Sequence, residues 1–142
     1  MPTRPRQPDD LRADVATAAR ILDTERLVEG FGHVSARFRD RRGRERVLLT
    51  PRKALSLVRS ADLATLDLET GSVISGDPPL EGALHLAIYR ARPDVRAICR
   101  THSRMVSVFG ALGRPVRFGP PGICSRLRSS GSVPAVERSP AM

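Results

Sequence analysis

A chain of 142 residues is long enough to bury one hydrophobic core and short for two. With no Trp, 4% aromatics and 40% apolar residues, that core must come from Leu, Val, Ala and Ile, which favours α/β layering over an aromatic-rich β-sandwich. The formal charge of +9 rests almost wholly on arginine, since Lys53 is the single lysine; a nucleic-acid binder more often shows both basic residues clustered with aromatics. No run approaches the ~20 apolar residues of a membrane span. Two cysteines, Cys99 and Cys124, make no disulfide framework, and with no leader-like start the chain reads as cytoplasmic.

Residues 1–8, MPTRPRQP, offer nothing to bury and read as a disordered lead-in. A helix capped by Asp9 or Asp10 follows, with Leu11, Val15, Ala18 or Ala19, and Leu22 at three- and four-residue steps as far as about Leu27. Gly30 and Gly32 break it. From His33 to Arg39 the pattern alternates, Val34, Ala36 and Phe38 against His33, Ser35, Arg37 and Arg39, as in a half-buried strand. Residues 41–44 turn the chain and 47–50 return as an antiparallel partner, stopped by Pro51. The basic run from Arg37 to Arg46 is then a solvated hairpin tip.

Ser60 and Asp62 fall in a loop or single helical turn, and 64–68 and 72–75 form a second hairpin about the turn Glu69-Thr70-Gly71. A mostly buried helix carries Glu81 and His85, four apart and on one face, and Arg92-Pro93 ends it. A short buried strand through Val95, Ala97, Ile98 and Cys99 leads to Arg100, Thr101 and His102, and Ser103 caps a last amphipathic helix to Leu112. Pro115 to Phe118 is one more short strand. In residues 119–142 Ser, Pro and Gly make up 12 of 24 and no apolar period survives, as in a disordered tail.

The groups able to do chemistry gather between Asp77 and His102. A buried carboxylate at Glu81 would have its pKa raised toward working pH and could serve as general acid or base. His102 could ligate a divalent metal through a neutral imidazole. Cys99, His102 and Cys124 have no recognised zinc spacing.

The blocks GHVSAR (32–37), LLTPRKAL (48–55), PPLEGALHLAIYRARPDV (78–95) and AICRTHS (97–103) resemble, in this order, the class II aldolase/adducin family across residues 10–118. The resemblance implies an α/β fold, a three-layer α/β/α sandwich around a largely antiparallel sheet, with 9–118 as a partial domain. It implies metal-dependent aldol cleavage, or related epimerase or decarboxylase chemistry, on a small hydroxy-carbonyl substrate. Glu81 matches the family's catalytic acid/base and His102 the second histidine of its His-x-His metal pair, with zinc as the divalent metal. The first position of that pair is Arg100 here, and no histidine follows His102 to supply the third ligand, so the family activity is expected to be impaired. The phosphate-binding elements depart too: Gly32-His33-Val34-Ser35, Arg52-Lys53 and Pro79-Leu80 replace small hydroxyls and glycines. A carboxylate-bearing or otherwise non-phosphorylated substrate held by Arg52, Lys53 or Arg100, with His33 and Ser35 beside it, fits better than a sugar phosphate. Homo-oligomers, tetramers by resemblance, and a chain cut short relative to the family complete the expectation. A non-catalytic, adducin-like interaction module is the alternative.

Overall fold

The computed structural model describes residues 8–113 apart from Phe31. The elements follow in the order α1 (Pro8–Thr24), β1 (His33–Arg39), β2 (Glu45–Leu49), two 3-10 turns (Leu55–Leu57 and Ser60–Asp62), β3 (Ala64–Asp67), β4 (Val73–Ser75), α2 (Gly82–Ala91), β5 (Ala97–Arg100) and α3 (Arg104–Ala111). The five strands form one sheet in the order β4-β3-β2-β1-β5, antiparallel at every pairing.

The period-2 pattern of β1 sets the layers. Val34 and Ala36 face α1 and pack with Val15, Ala16, Ala19, Leu22, Leu55 and Leu63. The opposite face of the sheet meets α2, where Leu86 and Tyr89 join Val47, Leu49, Ala64, Leu66 and Leu68. One helix on each face makes the α/β/α sandwich, and the apolar residues come from the aliphatic set that the composition demands.

The elements lie close to their sequence-derived positions, with four differences. α1 starts at Pro8, a position where a missing N–H costs nothing, and ends at Thr24 rather than near Leu27. β1 is buried on both faces along its first half, because α2 covers the polar side that holds His33 and Ser35. β5 is an edge strand, alternately exposed and half-buried, where a buried strand was expected: it has β1 on one side and no strand on the other among the described residues. Glu81 precedes α2 as its N-cap residue instead of sharing a helical face with His85. Residues 1–7 and 114–142, with the expected lead-in, last strand and tail, lie outside the described residues.

Two glycines fix how loops meet the sheet. Gly76, at φ +80°, runs so close to β3 that a Cβ would meet Ala64 Cα at 2.7 Å, and it carries the chain from β4 over to α2. A Cβ on Gly32 would meet Val28 Cγ1 at 2.5 Å and the Arg100 carbonyl oxygen at 3.1 Å, so the entry to β1 packs directly on the end of β5.

Candidate active site

The site forms where the start of β1, the end of β5 and the start of α2 converge. Antiparallel pairing of β1 with β5 sets His33 opposite Arg100. The buried face of α2 carries Gly82, His85, Leu86 and Tyr89, spaced three, four and seven residues from the first. Gly82 lets this face sit close, since a Cβ there would lie 3.2 Å from Leu49 Cδ2. His85 and Tyr89, one turn apart, thereby reach β1. Ser35 Oγ lies 2.8 Å from His85 Nδ1 and 2.8 Å from Tyr89 Oη. All three side chains are fully buried.

Glu81 and Arg100 face each other above this layer, with Arg100 Nη1 3.9 Å from Glu81 Oε1, an ion pair too long for a hydrogen bond. The rings of His33 and His85 are edge-to-face with centroids 6.1 Å apart. Among the described residues three buried side-chain nitrogens have no hydrogen-bond partner, namely His33 Nδ1, His85 Nε2 and Arg100 Nη1. They belong to three neighbouring side chains. A buried polar atom left unpaired costs about 1–3 kcal/mol, so their convergence marks a place built for something other than stability.

The electrostatics follow from the geometry. Burial pushes His85 down from 6.5 to about 4, assisted by the positive potential of His33 and Arg100. Burial also lowers His33, with Glu81 opposing and Arg100 and His102 adding to the effect. Both imidazoles are therefore neutral at pH 7. Glu81 departs from the expectation of a raised pKa. Its carboxyl is lowered, first by its own backbone N–H and then by the positive potential of His33, Arg100 and His102, which outweigh its slight desolvation. Its side chain is 43% exposed, so it is an ionised carboxylate placed to accept a proton, not a buried acid.

The remaining candidates divide. Arg52 and Lys53 line a cleft of about 170 Å³ together with Gly30, Gly32, His33 and Ala54. Each is already engaged, Arg52 with Asp77 at 3.7 Å and Lys53 Nζ donating to Asp62 Oδ2 at 2.9 Å. The loop bearing them is tied to β1 through Thr50, whose Oγ1 accepts from the Val34 amide at 3.1 Å. His102 is exposed just past β5, within electrostatic reach of Glu81 and His33. Ser35 is sealed between His85 and Tyr89, so it supports the site from below. Sequence reasoning passed over Tyr89. Its signal was there: a polar pair four apart on the buried face of a helix needs a partner on the sheet beneath.

Comparison with known proteins settles the ancestry. The profile of the class II aldolase and adducin N-terminal domain matches residues 13–140. This chain belongs to that family. An L-fuculose phosphate aldolase of Methanocaldococcus jannaschii is 31% identical over 110 residues, covering 77% of this chain and 58% of that protein. A 3,4-dihydroxyphthalate decarboxylase of Terrabacter sp. is 29% identical over 132 residues, covering 87% and 55%. The solved L-fuculose 1-phosphate aldolase of Glaciozyma antarctica superposes with a TM-score of 0.64 at 30% identity, over 81% of this chain and 50% of that one. The chain thus spans between half and two thirds of the length of these relatives. That they are aldolases and decarboxylases supports the aldolase-like reading over the adducin-like one.

Members of this family generally act on small molecules, form oligomers and depend on a divalent metal. The residues described here do not fit that ion. No three of His, Cys, Asp and Glu gather as a ligand set among them. The whole sequence holds three histidines, of which His85 gives Nδ1 to Ser35. The Arg100 guanidinium adds a fixed positive charge to the cluster, against a second cation. No helix among the described residues is long and apolar enough to cross a membrane.

Proposed function

We propose that this chain is a class II aldolase-like lyase whose site binds a small hydroxy-carbonyl compound through a carboxylate rather than a phosphate. The convergence of the unpartnered Arg100, His33 and His85 nitrogens beside an ionised Glu81 carries this reading. Arg100 supplies the charge-assisted contact to the substrate's carboxylate, and Arg52 and Lys53 enlarge the positive field of the adjoining cleft. Glu81 takes the proton whose removal turns a hydroxy-carbonyl group toward an enediolate. Epimerisation can pass through this enediolate directly, whereas retro-aldol cleavage and decarboxylation reach it by breaking a C–C bond, so the three share the enediolate and not the removal of that proton.

In the family, zinc would stabilise the developing oxyanion. His102 is the ligand position this chain retains, and a cation at Arg100 leaves the metal-dependent reaction impaired. By the same resemblance the chain works in the cytoplasm as a homo-oligomer, a tetramer, without membrane or nucleic-acid partners.

Hydroxypyruvate, which carries a carboxylate, a ketone and a hydroxyl on three carbons, is the probe. In D2O the protein exchanges its methylene protons faster than buffer, and Glu81→Gln slows this by about 100-fold, the usual weight of a general base. Exchange no faster than buffer, or unchanged in Glu81→Gln, would overturn the reading.

A further inference from the structure

Two of the three unpartnered nitrogens belong to imidazoles that the fold sets side by side. Pairing of β1 with β5 puts His33 opposite Arg100, and cross-strand partners project to the same face of a sheet. Ser35, two residues further along β1, projects to that face too and meets His85 Nδ1 at 2.8 Å. His85 is thereby committed at one nitrogen, and Nε2 is the atom left over. Beside it His33 keeps Nδ1 unpartnered in the same way. His85 is 0% and His33 6% exposed, so neither ring turns to solvent for its partner. Nor do the two nitrogens bond each other: edge-to-face rings with centroids 6.1 Å apart hold them beyond hydrogen-bond reach.

Polar groups too far apart to bond directly are served by one oxygen between them, at about 2.9 Å from each. A neutral imidazole nitrogen donates in one tautomer and accepts in the other, so the bridging group must be able to do both. A hydroxyl can; a carbonyl or carboxylate oxygen only accepts. Arg100 Nη1, the third unpartnered atom, only donates and suits an anion. We propose that His33 Nδ1 and His85 Nε2 together seat the substrate's hydroxyl oxygen while Arg100 takes its carboxylate, so that the two histidines select a hydroxy acid over the same acid without the hydroxyl. His33 lines the cleft of about 170 Å³ with Arg52 and Lys53, which is the way in. The Glu81 carboxylate acts electrostatically on both rings, so the seat lies beside the proposed base. The inference rests on the substrate reading above for the carboxylate; the seat itself rests on the two histidines.

Hydroxypyruvate and pyruvate differ by one hydroxyl. Calorimetric titration of each into the chain at pH 7.5 should show hydroxypyruvate binding at least about 10-fold more tightly, the worth of two hydrogen bonds in a buried seat. A smaller ratio overturns the seat. His33→Phe, which keeps a ring and removes its nitrogens, should bring hydroxypyruvate down to the affinity of pyruvate, and a ratio that survives this change overturns the seat as well. Should His33→Phe fail to fold, the 15N-histidine-labelled wild type reads the same contact. Saturating hydroxypyruvate should shift the ring nitrogens of His33 and His85 more than saturating pyruvate does, and equal shifts contradict the proposal. Arg100→Met should weaken both acids alike and leave their ratio as it is. Affinities indifferent to Arg100→Met, with the ratio intact, would overturn the carboxylate reading and leave the seat standing; no binding of either acid would overturn both.

Discussion

The two ends of strand β1 treat charge in opposite ways. At the hairpin end, Glu45 accepts from Arg37 Nε and Arg39 Nε, both at 2.6 Å, and Arg44 and Arg46 reach Asp40 at 3.0 and 3.1 Å. Arg46, the most buried of these guanidiniums, also pairs with Asp67. The basic run is thus stitched to its own carboxylates and needs no anionic partner to explain it. At the other end, among the described residues, three buried nitrogens have no hydrogen-bond partner and the Glu81–Arg100 pair stays open at 3.9 Å. A satisfied cluster holds a fold together, and an unsatisfied one is held together by the fold.

Removing charge should therefore hurt the first end and spare the second. Arg46→Met strips two carboxylates of a buried partner and should lower unfolding free energy by about 2 kcal/mol, seen as a lower urea midpoint at constant slope. Gly32→Ala forces a methyl onto Val28 and the Arg100 carbonyl, with an expected loss of about 1–2 kcal/mol by the same measurement. Arg100→Met should leave stability within about 1 kcal/mol of wild type, because the arginine has no hydrogen bond to lose at Nη1 and an apolar replacement relieves an unpaired donor. Arg42→Ala, at an exposed position of the hairpin turn, should change it by less than about 0.5 kcal/mol.

Acid separates the ends by pH. His85 is lowered in the folded state from 6.5 to about 4, so the unfolded chain binds the extra proton: stability is full above pH 6.5 and is lost as the pH falls toward 4. The hairpin follows later. Burial works to raise Asp40, but the amides of Arg44 and Arg42 and the guanidiniums of Arg46 and Arg44 outweigh it and hold it at about 2, so its contribution disappears only below pH 4. His85→Gln should flatten the stability curve between pH 6.5 and 4 and leave the lower limb in place.

Much of this was legible in the chain. Alternation from His33 to Arg39, the turn at 41–44 and the three- and four-residue periods placed the first hairpin and both main helices, because these are local patterns. Glu81, Arg100 and His33 were identified by residue type and order. What local pattern could not show was which elements meet. That β5 pairs with β1 decides that Arg100 faces His33, and that α2 lies across the polar face of β1 decides that Ser35 is buried under His85 and Tyr89, 50 and 54 residues along the chain. The same blindness misjudged Glu81: its spacing from His85 says nothing of whether the helix begins before or after it, and a carboxylate at the N-cap stays in water and ionised.

The proposed site turns on Arg100, which stands at the position that the family resemblance assigns to a metal ligand. Calorimetric titration of hydroxypyruvate into the chain with a strong chelator present tests it. Binding that is unchanged by chelator and weakened at least tenfold by Arg100→Met is the predicted result. Binding that needs added zinc and persists in Arg100→Met would contradict it.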